Sequence, residues 1–247
     1  MGNKVINTTS VKLGIYETST DSQLAGMLGD VKEMEDGRKF RLCSNGVGGA
    51  LAPGQLIQAK VSDDDADNIA LGTASEGATT LTATNPAGHE DLSVNELKDG
   101  YFCVNDGADE EGHGRKIKAN TAATAGTACT LTFYDALTDV ITGSSLGAWV
   151  YPMYKNVVVN AGTGRVVGVP VCDVAASSTT VPVFFWAQVS GPCPVLSSGG
   201  ITKGDRVEAH DSGAVIAHAS GSTLAYIGTA MQSYLTAEYG FVWLNIE

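Results

Sequence analysis

Along most of the chain polar and apolar side chains alternate with a period of two, the signature of half-buried strands. Lys39-Phe40-Arg41-Leu42-Cys43 is the first clear instance, and Gln55–Val61 follows after a glycine-rich turn and Pro53-Gly54. The middle of the chain predicts strands at Thr79–Ala83, Tyr101–Val104, Arg115–Ala119, Ala128–Tyr134 and Ala148–Tyr151. Beyond it, Asn156–Asn160, Arg165–Val171, Val181–Val189, Asp205–Ala209, Ala214–His218, Ala225–Ala230 and Gly240–Ile246 recur at short intervals. Such spacing predicts a barrel or sandwich. Val181–Val189 is apolar throughout except Gln188, which predicts burial on both faces.

Residues 1–30 differ. They are polar, with one short helical candidate at Ser22–Leu28 capped by Asp21, and read as an arm that wanders or lies on a neighbour. The fold expected is mainly β: an antiparallel barrel or sandwich body with an inserted or second small β domain and an extended N-terminal arm. The arm takes 1–30, the main domain 31–75 plus 157–247, and the insert 76–156. A faint echo between Ala50–Ala59 and Gly200–Ala209 fits two flanks of one body, although hairpins also look alike.

Composition supports a fold without reactive clusters. Hydrophobic residues make up 43% and charged residues 17%, a balance opposite to that of disordered chains. The 30 glycines suit many tight turns. A formal charge of −12 argues against nucleic acid, whose binding rests on Lys and Arg displacing counterions. No run reaches the length of a membrane span, and the first residues lack the apolar block of a signal peptide, so folding in a cytoplasm is expected. The five cysteines, odd in number and never paired as CxxC, read as buried free thiols.

Few residues stand in patterns that carry chemistry. His89, His113, His210 and His218 form no HExxH, and no GxSxG is present. The Gly162–Gly168 stretch mimics a dinucleotide loop but is followed by β-branched residues, so no helix receives a phosphate. His210-Asp211 and His218 suggest a His/Asp pair but have no serine or cysteine at a recognisable spacing. Asp63-Asp64-Asp65-Ala66-Asp67 fits a solvated loop better than a calcium site. The reading is therefore no catalytic residue, no cofactor and no metal. Two basic groups, Arg38-Lys39-Arg41 and Arg115-Lys116-Lys118, are the candidates for contact with an acidic partner surface, against the plainer reading of solvated strand faces.

Several segments are similar to capsid decoration, or cement, proteins of tailed bacteriophages. They are Asp99–Gly107, Gly112–Ala122, Thr130–Leu137 and Phe185–Pro192, with the final cadence Ile227–Ala230 and Phe241–Ile246. The resemblance spans about residues 95–247 and rests on turns and core strands. It implies a virion protein on the outer capsid surface, often a homotrimer, that is made in the host cytoplasm and clamps neighbouring major capsid proteins. It implies no catalytic residue. The alternative is a head fibre or receptor-binding module for host surface glycans, with Trp149, Tyr151 and Tyr154 as candidate platforms.

Overall fold

In a computed structural model of the chain, residues 5–8, 13–21, 27–46, 49–60, 67–107, 110–162, 164–178 and 181–247 are described. Their regular structure is almost all strand, with a single three-residue 3₁₀ turn at Asp211–Gly213 as the only helical element described. In chain order the strands are β1 (Val5–Thr8), β2 (Val31–Met34), β3 (Lys39–Ser44), β4 (Ile57–Gln58), β5 (Ile69–Ala70) and β6 (Thr80–Thr84). Then come β7 (Tyr101–Asp106), β8 (Gly114–Asn120), β9 (Ala128–Phe133), β10 (Leu146–Val150), β11 (Val158–Val159) and β12 (Val166–Pro170). The last are β13 (Phe184–Leu196), β14 (Arg206–Ala209), β15 (Val215–Ala217), β16 (Tyr226–Ala230) and β17 (Tyr239–Asn245). No helix among the described residues is long and apolar enough to cross a membrane.

The chain divides into two compact units, Met1–Val61 with Met153–Glu247 as a body, and Ser62–Pro152 as an insert. Both ends of the insert lie elsewhere than the expected 76–156. Ile69 and Leu71 are core residues of the insert, where β5 pairs with β10. Two residues of strand are too few to show a period, which is why the sequence left them in the body. At the other end Met153 and Tyr154 pack on a body core, and Ser44 N–H donates to the Tyr154 carbonyl at 2.9 Å.

The insert is one antiparallel sheet in the order β5-β10-β7-β8-β9-β6. Its two ends meet, because Leu71 bridges Ala83 and Gly72 N–H donates to Thr82 O at 2.8 Å. Inward residues of alternate positions, Phe102, Val104, Ile117, Leu131, Phe133 and Trp149, fill it. Closing a sheet in this way satisfies edge groups that would otherwise invite further pairing.

The body sheet runs β1-β2-β3-β13-β17-β16-β14-β15, with β12, β4 and β11 joined beside β13. β13 is its spine. From Phe184 to Ser190 it pairs with β3, while Val169 and Pro170 of β12 pair with Gln188 and Ala187. Phe184 to Val189 are all buried, as the apolar run implied. β13 then continues through Pro192-Cys193-Pro194 and pairs with β17, although prolines ordinarily stop a strand. They are tolerated because their nitrogens occupy the alternate positions that face away from β17. Leu196 N–H, next in that series, donates instead to Gly54 O at 2.9 Å.

Part of the expected arm lies on its own body. Leu13 and Ile15 are buried in a cluster with Phe40, Leu42 and Trp186, and Ser19 bridges Phe184. The Leu13 carbonyl accepts from Trp186 Nε1 at 3.0 Å and from Lys32 Nζ, whose ammonium sits 4.6 Å from the Trp186 ring centroid. Burial pulls the Lys32 pKa below its ordinary value, with Glu17 opposing. Val5–Thr8 pairs with β2. Most of the helical candidate at 22–28 lies outside the described residues. All five cysteines are free thiols, with Cys43, Cys129 and Cys193 buried.

Candidate binding surfaces

Five of the six basic candidates are engaged within the chain. In the body, Arg38 Nε meets Asp36 at 2.7 Å and Nη1 donates to Tyr16 Oη at 3.3 Å. Lys39 stands 3.8 Å from Glu33. Arg41 donates through Nε to Glu247 at 2.6 Å and through Nη1 to Gly29 O at 2.8 Å, with its guanidinium over the Tyr154 ring. In the insert, Arg115 pairs with Glu110 at 2.9 Å and Lys116 with Asp99 at 3.3 Å. Lys118 is exposed and has no ion-pair partner among the described residues.

The Arg115 partner is a buried hub. Glu110 adopts φ +55° and its side chain is 2% exposed. It accepts from Arg115, His113 Nδ1 at 2.7 Å, Asp139 N–H at 3.1 Å and Thr138 N–H. Burial alone would raise this carboxyl. The Thr138 amide, His113, Arg115 and the Asp139 amide outweigh burial and hold its pKa at about 2. Glu110 and His113, between β7 and β8, are thereby fastened to the segment after β9.

Lys116 belongs to an outward row. Val150, Tyr101 and Lys116 are directly paired across β10, β7 and β8, and Tyr134 N–H donates to Lys116 O. Opposed residues on antiparallel strands share a face. Val150, Tyr101 and Tyr134 are each about half exposed, at 58%, 54% and 45%. The Lys116 ammonium lies 5.5 Å from the Tyr134 ring centroid, and Tyr134 Oη bonds Asp99 at 3.3 Å. This is a basic and aromatic face on an acidic protein.

The body carries a second surface. β17 alternates without a break: Tyr239, Phe241, Trp243 and Asn245 point out, and Gly240, Val242 and Leu244 point in. Beside it lies a groove of about 740 Å³ bordered by Tyr239, Phe241, Tyr16, Arg38, Asp173, Gln188 and four prolines, Pro53, Pro170, Pro192 and Pro194. Tyr239 lies against Gly54, where an added Cβ would come within 2.6 Å of the ring. Gly54 also holds φ +80°, a region open to glycine.

No family model, curated protein or solved structure matches the chain.

The aromatics singled out in the sequence are not platforms. Trp149 is 2% exposed in the insert core, Tyr151 packs against that core, and Tyr154 is half-buried with its hydroxyl on Glu247. The exposed aromatics of β17 were missed because aromatic and aliphatic residues alternate there, so both faces of the strand look apolar. The histidines do not converge: His210 pairs with Asp211 at 2.7 Å, whereas His218 pairs with the buried Glu208. Among the described residues no three His, Cys, Asp or Glu side chains are placed to hold a metal. Asp63–Ala66 of the acidic cluster lie outside the described residues.

Proposed function

We propose that the protein is a non-catalytic virion component that binds the outer surface of a phage capsid and stabilises contacts between neighbouring major capsid proteins. Two lines support the reading. The segments that resemble decoration proteins map onto β7, β8, β9, β13, β16 and β17 and their turns, the frame of both units. The observation that carries it is the outward row Val150, Tyr101, Lys116 and Tyr134, with the exposed Lys118 two residues along β8 from Lys116.

Tyrosines held on a sheet face offer large contact area with little side-chain entropy left to lose. Lys116 and Lys118 would draw this face towards an acidic patch on the shell, while the net charge of −12 keeps the remaining surfaces of adjacent copies apart. A homotrimer presents three such faces at once, so modest contacts combine into durable attachment.

Rebinding to capsids freed of the protein tests this. Lys116→Glu/Lys118→Glu and Tyr101→Ala should each weaken attachment by about tenfold or more, while thermal unfolding shows both variants still cooperatively folded. Binding by wild type should also weaken as salt rises, because exposed charges are screened. Rebinding that is indifferent to both variants overturns the assignment.

A further inference from the structure

We infer that the groove beside Tyr239 and Phe241 binds a neutral carbohydrate. The inference goes beyond capsid attachment and uses none of the residues assigned to it.

The Tyr239 ring lies against Gly54 through Cδ1 and Cε1, and the residue remains 52% exposed, which leaves an aromatic plate already in position. A plate fixed in this way loses little entropy when a ligand covers it, and it offers apolar contact to the C–H face of a sugar ring. Phe241, two residues along the same strand, continues the plate at 45% exposure.

Polar groups around the groove suit hydroxyls, each of which both donates and accepts. Tyr16 Oη accepts from Arg38 at 3.3 Å and keeps its own proton to donate. Arg38 has given Nε to Asp36 and one Nη1 hydrogen to Tyr16, so further N–H groups remain. Gln188 commits Nε2 to Ser190 O at 3.1 Å and Pro192 O at 2.9 Å, which leaves Oε1 to accept. Asp173 adds an exposed carboxylate.

Charge selects against ions. The Arg38 cation is already balanced by Asp36, so an anion finds no free countercharge, and the one carboxylate of Asp173 falls short of the donors that a metal cation needs. An extended peptide is disfavoured too. Pro192 and Pro194 remove the N–H groups with which the open edge of β13 would accept an added strand. The volume of about 740 Å³ falls within the range of small-ligand clefts.

The test is an NMR titration of the purified protein with maltohexaose, cellohexaose, chitohexaose and mannohexaose, following the ring resonances of Tyr239, Phe241 and Trp243. At least one sugar should move Tyr239 and Phe241 in a saturable way. Tyr239→Ala should weaken that binding about tenfold, and Asp173→Asn about threefold to tenfold. Tyr239→Phe and Trp243→Ala should retain it. The idea is overturned if no sugar shifts those rings at millimolar concentration, or if the shifts survive Tyr239→Ala. It is equally overturned if dilution alone produces the shifts, since the face would then be an interface between copies. Capsid rebinding by the same variants stays unaffected in every case, so failure here is separable from failure of the attachment reading.

Discussion

Replacing Glu110 by glutamine removes the charge at the hub of the insert while nearly preserving its shape. The cost can be approached in two ways. The carboxyl sits at about 2 against an ordinary 4.5, and each unit of such a shift corresponds to 1.36 kcal/mol, so full ionisation contributes about 3 kcal/mol. With the side chain 2% exposed, solvent screens little of this. Breaking a buried ion pair by removing one partner gives a similar figure, about 3–5 kcal/mol, because the other charge is stranded. Here that charge is Arg115: a glutamine can keep Oε1 on the Thr138 and Asp139 amides, but its NH2 then takes the place of the oxygen that faces Arg115 and His113.

The sign follows from the depressed pKa. The contribution is present in full above about pH 4.5, where the unfolded carboxyl is also ionised, and fades as pH falls towards 2. Denaturant unfolding followed by the indole N–H signals separates the two units, since Trp149 lies in the insert core and Trp186 in the body. Glu110→Gln should destabilise the Trp149 signal by about 2–4 kcal/mol at pH 7 and leave that of Trp186 nearly unmoved. The difference between wild type and variant should shrink as the pH is lowered from 5 to 2.5. A cost below about 1 kcal/mol, or a difference independent of pH, would refute the hub.

Other outcomes follow from packing. At Gly240→Ala the new Cβ would lie 2.0 Å from the Tyr234 ring, so urea unfolding should show a loss of at least about 2 kcal/mol. Trp186→Ala removes the largest fully buried side chain and its bond to Leu13 O, and should cost about 3–5 kcal/mol while releasing the 13–19 segment to proteolysis. Burial pushes the Cys193 thiol up to about 12 and raises Cys43 and Cys129 as well. Iodoacetamide at pH 8 should therefore label these three in mass spectra only after unfolding.

Much of the fold was legible because strand alternation is a local signal. β3, β6 to β10, β12 and β14 to β17 lie within a few residues of the positions the pattern indicates. What escaped depends on distant partners. β5 shows its place only through Leu146 and Gly147, more than seventy residues on. Val31–Met34 reads as polar because Lys32 is a lysine, yet that lysine is buried over Trp186. Pro192 and Pro194 look like a strand's end until the direction of their missing N–H groups is known. The outward aromatics of β17 could have been suspected from size, since Gly240, Val242 and Leu244 suit a crowded inner face better than Tyr239, Phe241 and Trp243. The candidate contact residues were half legible: the sequence marks Lys116 and Lys118 as basic, but only cross-strand pairing sets Lys116 beside Tyr101.

Whether the protein coats a capsid lattice is decided by its copy number. Mass-spectrometric quantification against the major capsid protein in purified virions should return on the order of hundreds of copies per particle, because a symmetric shell repeats every contact site. A dozen copies or fewer, or none, would rule out a lattice coat.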